Sequence, residues 1–358
     1  MKENLRIIGA ITAKDLLEAL KNKTTLFNIV VVFLMMVVYK ELPKWEQRGQ
    51  PPSMLVYDAG SSALVERLEA SPAVDLYEYP SREELEERLS SMDERKLGII
   101  IPADFDRQVE SGGGAELSAV TVRWVSRSAT DKLRSQIEEV ITGLVGRPVQ
   151  IDLEREPVDV DPGRGSPLYA AMLSVIFALV MISIGVVPHL MIEEKQTRTL
   201  EVLMVSPAGS GHLATAKALT GLFYCLTAAA VVYGFNAAFI VHWPLAILVA
   251  VLGSLFFVAV GLLLGTAIEL RQQFVLWGFV AMAAFLLPTF LWVTSDLLPT
   301  LMATVVRWAP AAALARAFQA ACLRNPPLAE YGPPLASVAG GALLVLAGVA
   351  WLLRRADR

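Results

Sequence analysis

Apolar residues in this chain gather into long runs separated by short polar stretches, with one long polar interruption. The runs Leu168–Ile192, Leu213–Val241, Pro244–Ile268, Phe274–Val293 and Leu335–Leu353 approach or exceed the ~20 residues that a helix needs to cross a ~30 Å hydrocarbon core. They predict membrane-spanning helices over 167–192, 213–241, 244–268, 273–294 and 333–353. An earlier, shorter run, Leu26–Tyr39, is lengthened by Thr24 and Thr25, and Lys23 and Lys40 can snorkel at its ends. No small-residue cleavage site follows it, since the next residues are Lys40-Glu41-Leu42-Pro43-Lys44-Trp45, so 24–40 reads as an uncleaved first span. The third and fourth spans are parted only by His242-Trp243, a tight turn.

The polar interruption, 41–166, has the pattern of a folded water-soluble domain. Short apolar strands are predicted at Met54–Tyr57, Val74–Tyr79, Leu97–Ile101 and Leu117–Val125. Helices are predicted at Ser62–Ala70, Arg82–Ser90, Asp104–Glu110 and Asp131–Val145, the second with Ser81 as N-cap and Glu84 at the capping-box position. Strands alternating with helices argue for an inserted α/β domain, closed by a linker at Asp159–Gly165. Residues 1–23 place Leu5, Ile8, Ile11, Leu16, Leu17 and Leu20 at roughly helical spacing among Lys2, Arg6, Lys14, Lys21 and Lys23, the pattern of an interfacial amphipathic helix. Residues 295–332 are less apolar and contain Pro299, Pro310, Pro326 and Pro327; Thr300–Leu323 is expected to form one or two short helices at the membrane surface that dip partly inward. The expected fold is therefore an α-helical polytopic membrane protein with six transmembrane helices, the α/β insert and a short tail at 354–358.

Charge refines this picture. The 358 residues are 54% hydrophobic with a net charge of −4, but 40–167 alone hold 16 Lys/Arg against 25 Asp/Glu. An acidic insert does not suit a nucleic-acid surface. In the short segments on the side of the N-terminus stand Lys2, Arg6, Lys14, Lys21, Lys23, Lys195, Arg198, Lys217, Arg271, Arg354, Arg355 and Arg358; the short segment on the other side has only Arg307, Arg316 and Arg324. This bias puts both termini in the cytoplasm and 41–166 outside. Cys225 and Cys322 lack metal-ligand spacing, and His189, His212 and His242 are scattered with no HExxH pattern, so no metal site is expected.

One polar stretch between spans is unusual: Ile192-Glu193-Glu194-Lys195-Gln196-Thr197-Arg198-Thr199-Leu200-Glu201-Val202-Leu203-Met204-Val205-Ser206-Pro207. On a helix, Ile192, Thr199 and Leu203 share one face, with Leu200 and Met204 beside them, while Glu194, Arg198 and Glu201 occupy the opposite face. The ion pairs this allows are worth only a few tenths of a kcal/mol each, about 0.2–0.5. A helix that rests on a bundle and offers charge to the cytosol as a docking surface fits the pattern; so does a polar loop between two spans, and the residues alone do not choose.

The pattern Glu194-Lys195-x-x-x-Thr199-Leu200-Glu201-x-Leu203-x-x-x-Pro207 resembles the cytoplasmic signature of ABC-2 type transporter permeases, in the position between second and third spans that the family gives it. Gly98-Ile99-Ile100-Ile101-Pro102-Ala103-Asp104-Phe105 is similar to an element of the outer domain in the subgroup that carries a large extracytoplasmic domain. Many members have Gly where this chain has Arg198. The resemblance implies that 193–212 is a coupling helix region, with Glu193, Glu194, Arg198, Thr199, Leu200, Glu201, Leu203 and Pro207 engaging a separate ATP-hydrolysing subunit that carries ATP and Mg. It implies a second permease copy, most simply a homodimer in the cell inner (plasma) membrane, no cofactor on this chain and no ATPase site of its own. The chain has no GxxxxGK[ST] pattern, in line with that expectation. ATP-driven closure of the partner subunits would push on 194–207 and the N-terminal helix and shift spans two and five. The cargo implied is a small amphiphilic or drug-like molecule or a lipid, with ATP-driven sodium extrusion as the rival.

Other residues invite functional readings of lower weight. Asn236, inside the third span, suits a hydrogen bond between helices and, less readily, a substrate contact; Phe285, Phe290 and Trp292 suit an apolar substrate path or an interfacial belt. Glu269 and Arg271 read as a solvated pair at a span boundary, Asp296 likewise as a boundary charge, and Pro188 beside His189 as a kink. A secondary transporter would want charges or broken helices near the bilayer midplane, an intramembrane enzyme a nucleophile–base or paired-carboxylate set, and a receptor would leave the charged stretch unexplained.

Overall fold

A computed structural model describes residues 2–21, 27, 30–31, 33–34, 53–91, 96–111, 115–122, 125, 127–154, 167–196, 210–268, 271–292, 298–323 and 326–356. It divides into two compact units, Met1–Val38 with Ala171–Arg358, and Tyr39–Ala170.

The second unit is an α/β domain built on a five-stranded mixed sheet. Its elements run β1 (Ser53–Asp58), α2 (Ala63–Glu69), β2 (Asp75–Tyr79), α3 (Arg82–Ser91), β3 (Leu97–Ile101), α4 (Phe105–Glu110), β4 (Ala115–Val120), α5 (Arg127–Val145) and β5 (Val149–Leu153), following the N-terminal helix α1 (Lys2–Lys21). The strand order is β2-β1-β3-β4-β5. β1 is parallel to β2 and β3, β4 is antiparallel to β3, and β5 is parallel to β4. Alternation along the strands sends side chains to two cores. Met54, Val56, Ile99, Ile101, Leu117 and Ile151 meet Leu64 and Leu68 of α2, Phe105 of α4 and Ile137 and Ile141 of α5 on one face. Leu55, Val120 and Val122 meet Leu85 and Leu89 of α3 on the other. Each such burial contributes about 1.5–3 kcal/mol. Gly98 lets α3 lie close to the sheet, because a Cβ there would stand 2.7 Å from both Leu85 Cδ2 and Val120 Cγ2.

Local chemistry explains the helix starts. The Ser62 hydroxyl accepts from Leu64 N at 3.0 Å to cap α2, and the Ser81 hydroxyl accepts from Glu84 N at 3.2 Å to cap α3. Gly60 N donates to Asp58 Oδ1 at 2.9 Å in the turn after β1. Two details differ from the sequence reading. β4 covers Ala115–Val120 and not Leu117–Val125. β5 is an additional strand, formed by the alternating Val149-Gln150-Ile151-Asp152-Leu153.

The first unit is a helical assembly. After α1 it contains α6 (Pro167–Gln196), α7 (Ser210–Phe235), α8 (Trp243–Ala267), α9 (Arg271–Trp292), α10 (Thr300–Trp308), α11 (Pro310–Cys322) and α12 (Leu328–Ala356). Among the described residues five helices are long and apolar enough to cross a membrane: Leu168–Ile192, Gly211–Phe235, Trp243–Ala267, Gln273–Trp292 and Leu328–Arg355. The expected first span, 24–40, lies almost wholly outside the described residues. Of that segment residues 27, 30–31 and 33–34 are described, all helical, and the Phe33 ring stands edge-on to that of Phe235 at 5.8 Å.

α6 is central, with 72% of its most apolar stretch buried against 17% for α9. It runs parallel to α8 along a glycine seam. A Cβ on Gly253 would stand 2.9 Å from Leu179 Cδ1, one on Gly261 2.5 Å from Ser183 O, and one on Gly265 2.8 Å from Met191 Cβ. Small residues let helix backbones approach where lipid supplies no hydrophobic drive for association. Gly221 does the same for α7, where a Cβ would stand 2.6 Å from Val187 Cγ2. α11 is enclosed, with Ala311, Ala312, Ala313, Leu314, Ala315, Ala317 and Phe318 fully buried. Its alanines admit α8, α9 and α12 around it.

Two boundaries differ by five residues or more from those expected. α7 stops at Phe235, six residues before Val241, because the chain is turned toward α11: Val241 N and His242 N both donate to Ala321 O, at 3.0 and 2.8 Å. α12 begins at Leu328 and continues through Pro333 and Pro334, whose missing N–H groups fall in its early turns. α6 remains one helix through Pro188.

Candidate functional site: the helix ends around residues 193–209

Three helix ends of the first unit meet in a small apolar cluster. Ile192 near the end of α6, Leu264 and Ile268 at the end of α8, and Phe274 in the first turn of α9 pack together. The His189 ring lies 5.0 Å from that of Phe274. α6 delivers the charged segment here and α7 takes it up again at Ser210. Glu193 and Glu194 lie in the last turn of α6. Arg198, Thr199, Leu200, Glu201, Leu203 and Pro207 lie outside the described residues, as do Glu269 and Asp296.

The same end of α7 carries the tightest electrostatic contact of the unit. Lys217 Nζ donates to Asp15 Oδ1 of α1 at 2.9 Å, and both side chains are 2% exposed. Two further bonds tie the same helices. Tyr224 Oη donates to Leu16 O at 2.8 Å, and the Thr12 hydroxyl, which donates to Ile8 O within α1 at 2.9 Å, reaches Ala216 O at 3.4 Å as the weaker branch of a shared bond. Along the described part of α1, Asp15 is the one buried side chain. The helix is thus keyed to α7 by charge, not by its apolar stripe. An ionisable group within an apolar helix marks function by default, with its partner as the first thing to name. The Lys14–Glu18 pair of α1, by contrast, is exposed at 3.7 Å and adds little.

Sequence reasoning missed this pair, counting Lys217 among the loop charges and not singling out Asp15. The signal was present: Asp15 follows Ile8 and Ile11 at the next position of the apolar stripe, and Lys217 sits in an otherwise apolar run. Removing the paired Lys217 from the charge count leaves eleven basic residues against three.

The residues read as a substrate path are spread among different contacts. Asn236 Nδ2 donates to Ser174 Oγ of α6 at 3.3 Å and to Val232 O at 2.9 Å, so its amide joins helices. Phe285 sets its ring edge-on to Phe256 at 5.7 Å and Phe257 at 5.3 Å, an aromatic cluster between α9 and α8. Phe290 is 48% exposed near the end of α9.

Five long apolar helices, three of them in close contact through glycines, describe a multi-pass membrane protein. A family model described as ABC-2 family transporter protein matches residues 24–351. The chain belongs to that family as an ABC-2 type permease, a class of membrane component generally without its own ATPase site that works with an ABC ATPase subunit. Comparison with curated proteins one by one gave no match. The family match begins at residue 24, so α1 and its bond to Lys217 lie outside it on one side.

Proposed function

We propose that this chain is the membrane-spanning subunit of an ATP-driven exporter, and that 193–212 is the segment through which a separate ATPase subunit, carrying ATP and Mg, drives it. The observation that carries the reading is the convergence of the α6, α8 and α9 ends where that segment begins, with α1 bonded to α7 where it ends. In this reading both termini and 193–212 face the cytoplasm, the Tyr39–Ala170 unit is extracytoplasmic, and two copies assemble in the plasma membrane. Glu194, Arg198 and Glu201 offer the charged face, and Thr199, Leu200 and Leu203 rest on the bundle. The cargo is a small amphiphilic or drug-like molecule or a lipid. The long apolar helices agree with that class.

Affinity purification of the tagged chain from its native membrane in mild detergent tests the reading. A stoichiometric ABC ATPase subunit should come with it and be lost on Glu201→Lys. A chain that purifies alone, where a control transporter keeps its ATPase, would overturn the proposal.

A further inference from the structure

The Asp15–Lys217 contact has a geometry that stability alone does not account for. Burying two charges is expensive, and well-packed apolar residues in their place are often as stable or more so. What a buried pair supplies is register, because any slip of one helix along the other separates two desolvated charges. Here the pair is 2.9 Å long and lies between two flanking bonds, Thr12 to Ala216 and Tyr224 to Leu16. Rotation of α1 about its axis and sliding along α7 are both opposed. The remainder of the described part of α1 is exposed or half-buried, Ile7, Ile8, Ile11 and Leu16 among the half-buried, so the pair is its most enclosed contact.

We infer that Asp15 and Lys217 are positioning residues that make α1 and the first half of α7 a single moving body, so that motion delivered to α1 enters the membrane through the third span of the predicted topology. This inference rests on the proposed docking of an ATPase subunit at this end of the bundle. It departs from the expectation that spans two and five respond first. α6 is held to α8 at three glycines, Gly253, Gly261 and Gly265, whereas the glycine contact of α7 is the single Gly221, which makes α6 the poorer first mover of the two. α7 receives both inputs: residues 193–209 lead directly into Ser210, and α1 is bonded to it at Ala216, Lys217 and Tyr224.

Spin-label distance measurements on the assembled permease–ATPase complex test it. Labels go at Gly9→Cys, where an added Cβ meets nothing within 4 Å, and at the exposed Thr227→Cys, with Cys322→Ser and the buried Cys225 retained. The α1–α7 distance should agree within about 2 Å, the scale of small helix shifts, between nucleotide-free and ATP–vanadate-trapped complexes. Lys217→Met should broaden or shift the distribution, and Asp15→Lys combined with Lys217→Asp should narrow it again. A wild-type shift of about 5 Å or more, one helical turn, overturns the inference, as does a Lys217→Met distribution identical to wild type. A complex that assembles and hydrolyses ATP while the distance shifts defeats this inference alone. Failure of any ATPase subunit to bind defeats the proposed function instead.

Discussion

Replacing Gly261 by alanine tests the packing on which the helical unit depends. The new methyl would stand 2.5 Å from Ser183 O and 3.0 Å from Val187 Cβ. The nearer atom is backbone, so relief requires α6 and α8 to move apart and not a side chain to turn. Overpacking of this kind costs about 1–3 kcal/mol. Alanine regains about 1 kcal/mol of helix propensity over glycine. The net effect is a loss of between about 0 and 2 kcal/mol, up to several °C at about 2–4 °C per kcal/mol for a unit of this size. Gly340→Ala is the matched control: it lies in α12, and an added Cβ meets nothing within 4 Å. It should be neutral or slightly stabilising. The buried Cys225 thiol provides the assay, since a thiol-reactive fluorophore reports its exposure on heating in a Cys322→Ser background. Gly261→Ala should melt below Gly340→Ala by the equivalent of about 1–3 kcal/mol, and equal midpoints for the two variants would refute the seam as the determinant of α6–α8 spacing.

Other substitutions probe separate parts of the structure. Tyr233→Phe keeps the ring stacked 5.5 Å from Phe318 but loses the bond to Ala246 O at 2.7 Å, and should lower the same thermal midpoint by the equivalent of about 1 kcal/mol. Phe105→Ala empties a position 1% exposed in the larger core of the α/β domain, costs about 3–5 kcal/mol, and should make that domain of the full chain the first site of limited proteolysis. Ser81→Ala removes the cap on Glu84 N and should cost about 1 kcal/mol, read as faster amide exchange in the first turn of α3.

Much of the architecture was legible because its causes are local. Long apolar runs declare α6, α7, α8, α9 and α12 regardless of their neighbours, and Ser62 and Ser81 announce helix starts through bonds made within three residues. The details that escaped depend on distant partners. α7 ends early because Ala321, some eighty residues on, accepts the N–H groups of Val241 and His242. Asn236 reads as a polar residue in an apolar span, but that its amide reaches Ser174 of α6 is decided by packing. Lys217 and Asp15, about two hundred residues apart, each look like an isolated charge until the fold joins them. β5 is the opposite case: its alternation was local and plain, but five residues beside a linker are easily passed over. The sharpest motif, Arg198 to Pro207, lies outside the described residues, so its role rests on the flanks that hold it.

Co-purification of the tagged chain with its partners, wild type beside Glu201→Lys, bears most directly on the central claim. The account predicts one ABC ATPase subunit for each permease copy in the wild-type complex and its loss in the variant, with the permease itself still folded by the Cys225 assay. A wild-type chain that carries no ATPase subunit, or a variant that keeps it in full, would contradict coupling through residues 193–212.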